Sequence, residues 1–181
     1  VLPTPALAYI TRLGQAAAGV MISASHNPAI DNGIKLFTRD GYKLPDAVED
    51  EIERQVQAAC GRERVAGDKV GRMFRGDTEQ EAYVDYLLKI ADLDLTGVKI
   101  VVDAAHGAAF DVAPRVLTML GAEVVPLNIS PDGVNINVEC GSTYPAAMVQ
   151  AVLAHGAQVG LAFDGDADRL IACDARGQLL D

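Results

Sequence analysis

The chain has only three cysteines, Cys60, Cys140 and Cys173, far apart and odd in number. They form no C-x-x-C pair and no disulfide framework, so they read as small buried side chains and fit a reducing cytoplasm. No apolar run approaches the roughly 18–20 residues of a membrane span, so no membrane partner is expected. The start, Val1-Leu2-Pro3-Thr4-Pro5, lacks a basic segment followed by an apolar one, so no signal peptide is expected. Lacking an initiator methionine, it reads as a start inside a larger protein. A basic run is missing too: Lys plus Arg total 15 against 25 for Asp plus Glu, a net charge of −10. Such a chain grips a phosphate backbone poorly, so no nucleic acid is expected, although a local cationic pocket for a small anion is compatible with that balance. Repeats and low-complexity tracts are absent. With 50% hydrophobic and 22% charged residues, the chain is neither disordered nor fibrous, and it can bury a core in one domain or two small ones.

The hydrophobic pattern changes character along the chain. Residues 5–13 predict a short helix after Pro5. Val20-Met21-Ile22 reads as a buried strand running into a polar loop, Ser23 to Asn32, and Ile34–Thr38 as the next strand, with a turn at Asp40-Gly41. A helix is expected from Pro45, acidic in its first turns, with Val48, Ile52, Val56 and Ala59 as its buried stripe. Residues 61–76 read as a loop. A second helix is expected over 78–91, with Asp77 as N-cap and Gln80 three residues on. From about residue 95 strands and helices alternate: strands at 98–103, 122–127, 159–163 and 170–173, and helices at 112–120 and 145–155. That alternation predicts a largely parallel sheet with helices on both faces and a working edge at the strands' carboxyl ends.

Three segments carry chemistry. Asp164-Gly165-Asp166-Ala167-Asp168-Arg169 follows a buried strand. Carboxylates at i, i+2 and i+4 point to one side even when extended, about 7 Å apart. A bend at Gly165 brings them closer, and at ~4 Å each like-charged pair costs on the order of 4 kcal/mol at an effective dielectric near 20. Three ionised acids there need a cation, and hard oxygen ligands suit Mg²⁺ or Ca²⁺; the alternative is a solvated acidic loop. An EF-hand is excluded, because Arg169 stands where that loop needs Gly and Ala175 where it needs Glu. In Ser23-Ala24-Ser25-His26-Asn27-Pro28 a loop hydroxyl is either a nucleophile or phosphate acceptor, or part of a turn started by Asn27-Pro28. Without a G-x-S-x-G elbow, serine hydrolase chemistry is unsupported. Lys35, in an apolar strand, is either an edge residue or a cation kept for an anionic substrate. Asp103-Ala104-Ala105-His106-Gly107 follows another strand, with His106 and Gly107 read as turn-building and no dinucleotide or P-loop signature. His155 falls at a helix carboxyl end, a favourable place for it.

Taken together, these segments resemble the α-D-phosphohexomutase superfamily. Its phosphoserine loop, [ST]-A-S-H-N-P, is matched by Ser23–Pro28; its N-G-[IF]-K stretch by Asn32–Lys35; its metal loop, D-G-D-x-D-R, by Asp164–Arg169, with Ala167 where Gly is common. Pro131–Asn137 and Cys140–Thr143 are most similar to the bacterial phosphoglucosamine mutase branch; the phosphomannomutase and phosphoglucomutase branch differs there. The resemblance implies two α/β sandwich domains with mixed, mostly parallel sheets, part of a four-domain enzyme. Residues 1–94 would be the carboxyl-terminal part of domain 1 and 95–181 most of domain 2. It further implies a phosphoserine at Ser25 and Mg²⁺ held by Asp164, Asp166, Asp168 and a Ser25 phosphoryl oxygen. Lys35 would be a general acid or base, Arg169 a phosphoryl clamp, and His26 an orienting residue. The implied partners are a phosphosugar and its 1,6-bisphosphate. An aspartyl-phosphate phosphatase using Asp164, or a non-catalytic divalent-binding module, are the readings it competes with.

Overall fold

A computed structural model describes residues 1–58 and 67–180. Pro5 fixes a helical φ in the first turn of α1 (Thr4–Leu13). The chain then forms an antiparallel hairpin of β1 (Ala18–Ser23) and β2 (Gly33–Thr38), registered with Ser23 opposite Gly33 and Met21 opposite Lys35. The loop between these strands carries Ser25, so the register places Lys35 on the strand that returns from it. One short 3₁₀ turn, Ala29–Asp31, lies inside that loop.

Two expectations fail here. The strand around Val20–Ile22 is not buried: Val20 and Ile22 are 54% and 70% exposed, and among the described residues α1 is the helix that packs most closely on the hairpin. The stripe on α2 (Asp46–Ala58) is not buried either; no residue of that helix is, and Val48 and Val56 lie open. Among the described residues of its stripe only Ile52 is half-buried. Ala59 and Cys60 fall outside the described residues.

α3 (Asp77–Ala91) starts one residue before the expected span, with Gly76 rather than Asp77 in the capping position. Gln80 makes no capping box; its amide donates to Asp111 Oδ2 at 2.6 Å. The helix packs Tyr83 and Val84 against Ala6 of α1 on one side and against Val112 and Val116 of α4 (Val112–Met119) on the other, while Tyr9 stacks on Tyr86. It therefore ties the hairpin lobe to the second sheet.

That sheet has the order β4-β3-β5-β6-β7, built from β3 (Lys99–Asp103), β4 (Glu123–Leu127), β5 (Val159–Phe163), β6 (Leu170–Asp174) and β7 (Leu179–Leu180). β4, β3 and β5 are parallel, whereas β6 and β7 return antiparallel. The sheet is thus mixed, because the loop after β5 is too short for a helical crossover. Alternation along β3 sends Val101 to α5 (Ala146–His155) and Ile100 and Val102 to the face covered by α4. Helices cover both faces, as expected. Cys140 and Cys173 are free and buried, and burial pushes the Cys140 thiol up to about 11, leaving it inert at neutral pH. Among the described residues no helix is long and apolar enough to cross a membrane.

β3 and β5 run parallel in adjacent positions, so the loops after Asp103 and after Phe163 leave the same edge. They touch through glycines: Ala108 N donates to Gly165 O at 2.7 Å, and a Cβ on Gly107 would overlap the Gly165 backbone.

The fully buried Met148, on the inner face of α5, should cost about 2–5 kcal/mol when cut to alanine, whereas Val48→Ala on the exposed face of α2 should stay within about 0.5 kcal/mol. Urea denaturation of both variants measures the contrast; equal losses would mean that α2 is packed after all.

Candidate active site

Asp164 starts a tight turn at the carboxyl end of β5. Its Oδ1 accepts the backbone N–H groups of Asp168 and Arg169, each at 3.1 Å, and this folds the loop back on itself. Ala167, at φ +56, completes the turn; this left-handed region costs a residue with a Cβ roughly 1–2 kcal/mol. The fold of the loop collects Asp164, Asp166 and Asp168 so that one carboxylate oxygen from each lies within 4.8 Å of the others. Asp164 and Asp166 are buried, and Asp168 is partly open.

Cations from both lobes answer this charge. Lys35 Nζ donates to Asp166 Oδ2 at 2.6 Å and to Asp168 Oδ2 at 2.7 Å. Arg169 Nη2 and Nε donate to Asp164 Oδ2 at 3.0 and 3.1 Å. The same guanidinium crosses to the hairpin loop, where Nη2 donates to Ser25 Oγ at 2.9 Å and to His26 Nδ1. The structure thus brings together all seven residues singled out from sequence: Ser25, His26, Lys35, Asp164, Asp166, Asp168 and Arg169. Lys35 is neither an idle edge residue nor free: it is an internal counter-ion. His155 lies at the end of α5, and His106 does build its turn: at φ +49, its Nδ1 accepts from Ser130 N at 3.2 Å.

The three acids are not equivalent. Burial pushes the Asp164 carboxyl above the usual aspartate range, and the neighbouring Asp166 and Asp168 charges push the same way. Burial acts on Asp166 too, but hydrogen bonds from Lys35 and Thr4 outweigh it and hold that carboxyl below the usual range. Burial alone would lower the Lys35 ammonium; its bonds to Asp166 and Asp168 win, and it is raised and stays protonated.

Sequence reasoning missed three supporting residues. Thr4, at the first turn of α1, donates its hydroxyl to Asp166 Oδ2 and its N–H to Asp166 O at 2.9 Å. Asp103, fully buried, accepts the N–H groups of Ala105 and Gly141, both at 2.9 Å. Asn137 donates to Ser25 O and to Asn27 O. A threonine and proline opening a helix is a capping signal that could have flagged Thr4; no local spacing announces Asn137.

The acid cluster fits a metal ion by a feature of its own. Asp166 Oδ1 is buried without a hydrogen-bond partner among the described residues, whereas Oδ2 is occupied by Thr4 and Lys35. A buried carboxylate oxygen left bare is costly unless a cation meets it. The donors are oxygens only, the set preferred by hard divalent ions.

Comparison with known proteins places the chain in a family. Residues 1–61 match the family description "Phosphoglucomutase/phosphomannomutase, alpha/beta/alpha domain I", and residues 81–177 the corresponding domain II. Phosphoglucosamine mutases from Desulforudis audaxviator and Heliobacterium modesticaldum are 57% and 53% identical over the whole chain. The chain spans 40% and 43% of the length of these two relatives. A crystal structure of a phosphoglucomutase/phosphomannomutase family protein from Burkholderia thailandensis superposes with a TM-score of 0.75 at 28% identity, covering 99% of this chain and 40% of that one. An N-acetylglucosamine-phosphate mutase in a product complex shares the fold, with a TM-score of 0.58 at 18% identity over 97% of this chain and 48% of that one.

Removing one acid, Asp166→Asn, should weaken binding of a divalent cation at least about tenfold, while Lys35→Met, which removes a competing cation, should strengthen it. Because ion binding needs Asp164 ionised and its carboxyl is raised, affinity should climb with pH through and above the usual aspartate range and then level off, with proton release on binding. Titration calorimetry in two buffers reads affinity and proton count; unchanged affinity in Asp166→Asn would remove that residue from the ligand set.

Proposed function

The chain belongs to the phosphoglucomutase/phosphomannomutase family, and on that premise we propose that it forms the phosphoryl-carrying half of a phosphoglucosamine mutase, with Ser25 as carrier. The observation that carries the proposal is the position of Arg169. One guanidinium is 2.9 Å from Ser25 Oγ and 3.0 Å from Asp164 Oδ2, so it joins the hydroxyl to the acid cluster across the two lobes. We place the division between the lobes at residues 94 and 95, after α3.

In the proposed cycle, phosphorylated Ser25 gives its phosphoryl group to O1 of glucosamine 6-phosphate. The Ser25 Oγ–P bond breaks, a P–O1 bond forms, the O1 hydroxyl proton replaces the one Lys35 gives to Oγ, and the product is a bound 1,6-bisphosphate. After reorientation the 6-phosphoryl returns to Ser25 Oγ, leaving glucosamine 1-phosphate and the phosphoenzyme restored. Such transfer depends on in-line placement and on neutralising the moving charge. Arg169 supplies a planar pair of donors to phosphoryl oxygens beside Ser25. Lys35, held protonated by its aspartate partners, is suited to donate a proton to the oxygen that loses phosphoryl. His26, whose Nδ1 accepts from Arg169, keeps the guanidinium aimed at the serine. The ion we assign to Asp164, Asp166 and Asp168, with an oxygen carried on Ser25, is Mg²⁺, which when bound supplies positive charge against the transferring group.

Phosphoryl transfer through Asp164 is disfavoured. That carboxylate is fully buried and both of its oxygens already accept hydrogen bonds, whereas Ser25 is half-buried in a loop open to substrate. The identity to phosphoglucosamine mutases across the whole chain supports the amino sugar over glucose or mannose phosphates. Free buried thiols suit a cytoplasmic setting.

Peptide mapping of a full-length mutase carrying these residues should find one phosphoryl mass increment on the peptide containing Ser25. Ser25→Ala should lower kcat/KM for glucosamine 6-phosphate by at least about a thousandfold. Phosphoryl trapped on Asp164 would instead identify a phosphatase, and faster turnover of mannose or glucose phosphate would identify a sister mutase.

A further inference from the structure

Ser25 sits at φ +52, in the left-handed region that side chains with a Cβ rarely adopt. Such a conformation persists only where its surroundings over-determine it. Ser23 Oγ holds the amide side, accepting from Ser25 N at 2.8 Å. The carbonyl side is held from the other lobe. Asn137 Nδ2 donates to Ser25 O at 2.7 Å and to Asn27 O at 2.9 Å, so both hydrogens of one side-chain amide bridge the two carbonyls that flank His26. Since both partners are acceptors, the amide orientation is unambiguous.

Asn137 is itself fixed from the core. It too lies at positive φ, +60, and its N–H donates to Ala105 O at 3.0 Å. The Ala105 N–H is bound by the buried Asp103 carboxylate, whose other oxygen takes the N–H of Gly141, further along the same loop. A run of hydrogen bonds therefore leads from the end of β3 through Ala105 and Asn137 to the backbone of Ser25. The approach is close: a Cβ on Gly165 would meet both Ser25 O and Asn137 Nδ2.

We propose that Asn137 is a positioning residue for phosphoryl transfer, clamping the carrier serine in its left-handed conformation so that Oγ stays before Arg169. The inference rests on the mutase reading above. Losing the clamp lets the loop relax and swings Oγ out of line, and a misplacement of about 1 Å costs on the order of a hundredfold in rate.

The test uses a full-length mutase carrying these residues, with Asn137→Asp, which keeps the shape but sets an acceptor against two carbonyls, and Asn137→Ala. Both should lower kcat by about 10- to 100-fold, while KM for glucosamine 6-phosphate and the affinity of the dephosphorylated enzyme for Mg²⁺ change less than about threefold. Hydrogen exchange over residues 23–28 should quicken about tenfold or more, with β5 unchanged. Unchanged exchange across 23–28, or faster exchange with unaltered kcat, overturns the proposal. Activity that survives Ser25→Ala overturns the mutase reading and the catalytic role of Asn137 with it; the same activity lost in Ser25→Ala but kept in both Asn137 variants overturns the clamp alone.

Discussion

Three carboxylates whose oxygens lie within 4.8 Å of one another repel by several kcal/mol in a half-buried setting, and the loop that carries them exists because cations answer that repulsion. Two of the cations are side chains, and they come from opposite directions. Lys35 reaches in from the hairpin, Arg169 reaches out to it. The charge problem of one lobe is thereby solved with material from the other. This also explains how a hairpin with so little apolar cover keeps its place: Val20, Ile22 and Ile34 are exposed, and polar bonds at Asp166, Asp168, Ser25 and Asn27 fix its tip against the second sheet. Paired charges of this kind add little net stability, because taking them out of water offsets their attraction.

The same corner holds an unusual share of strained backbone. Ser25, Ala105, His106, Asn137 and Ala167 all have positive φ, and each lies in a loop that meets the others at the carboxyl ends of β3 and β5. Glycine relieves the crowding where backbones come closest, at Gly107, Gly141 and Gly165. Elsewhere hydrogen bonds hold residues in conformations they would leave if released, as expected where geometry serves chemistry rather than stability.

Much of this was legible in residue types and order. The acid loop announced itself because like charges at alternate positions after a buried strand demand an explanation, and the strands and helices from residue 98 onward followed from hydrophobic runs punctuated by glycine. What could not be read was which apolar faces are covered. The period of Val48, Ile52 and Val56 reports an amphipathic helix and nothing about a neighbour, so α2 forms with Val48 and Val56 exposed and Ile52 only half-buried. Val20-Met21-Ile22 reads as buried by composition, yet Val20 and Ile22 lie exposed in the hairpin. Supporting residues were hidden for another reason: Asn137 serves Ser25 from 112 positions away, and only the topology brings them together.

The bond between Thr4 and Asp166 joins residues 162 positions apart. A ribosome adding about 5–20 residues per second needs roughly 10–30 s to pass from one to the other. During that interval the first helix and the hairpin emerge and are free to dock α3, but the serine loop has neither its guanidinium nor its amide partner. The corner that does the chemistry is therefore assembled late, and a nascent chain stopped short of Asp164 carries the serine without the machinery to use it.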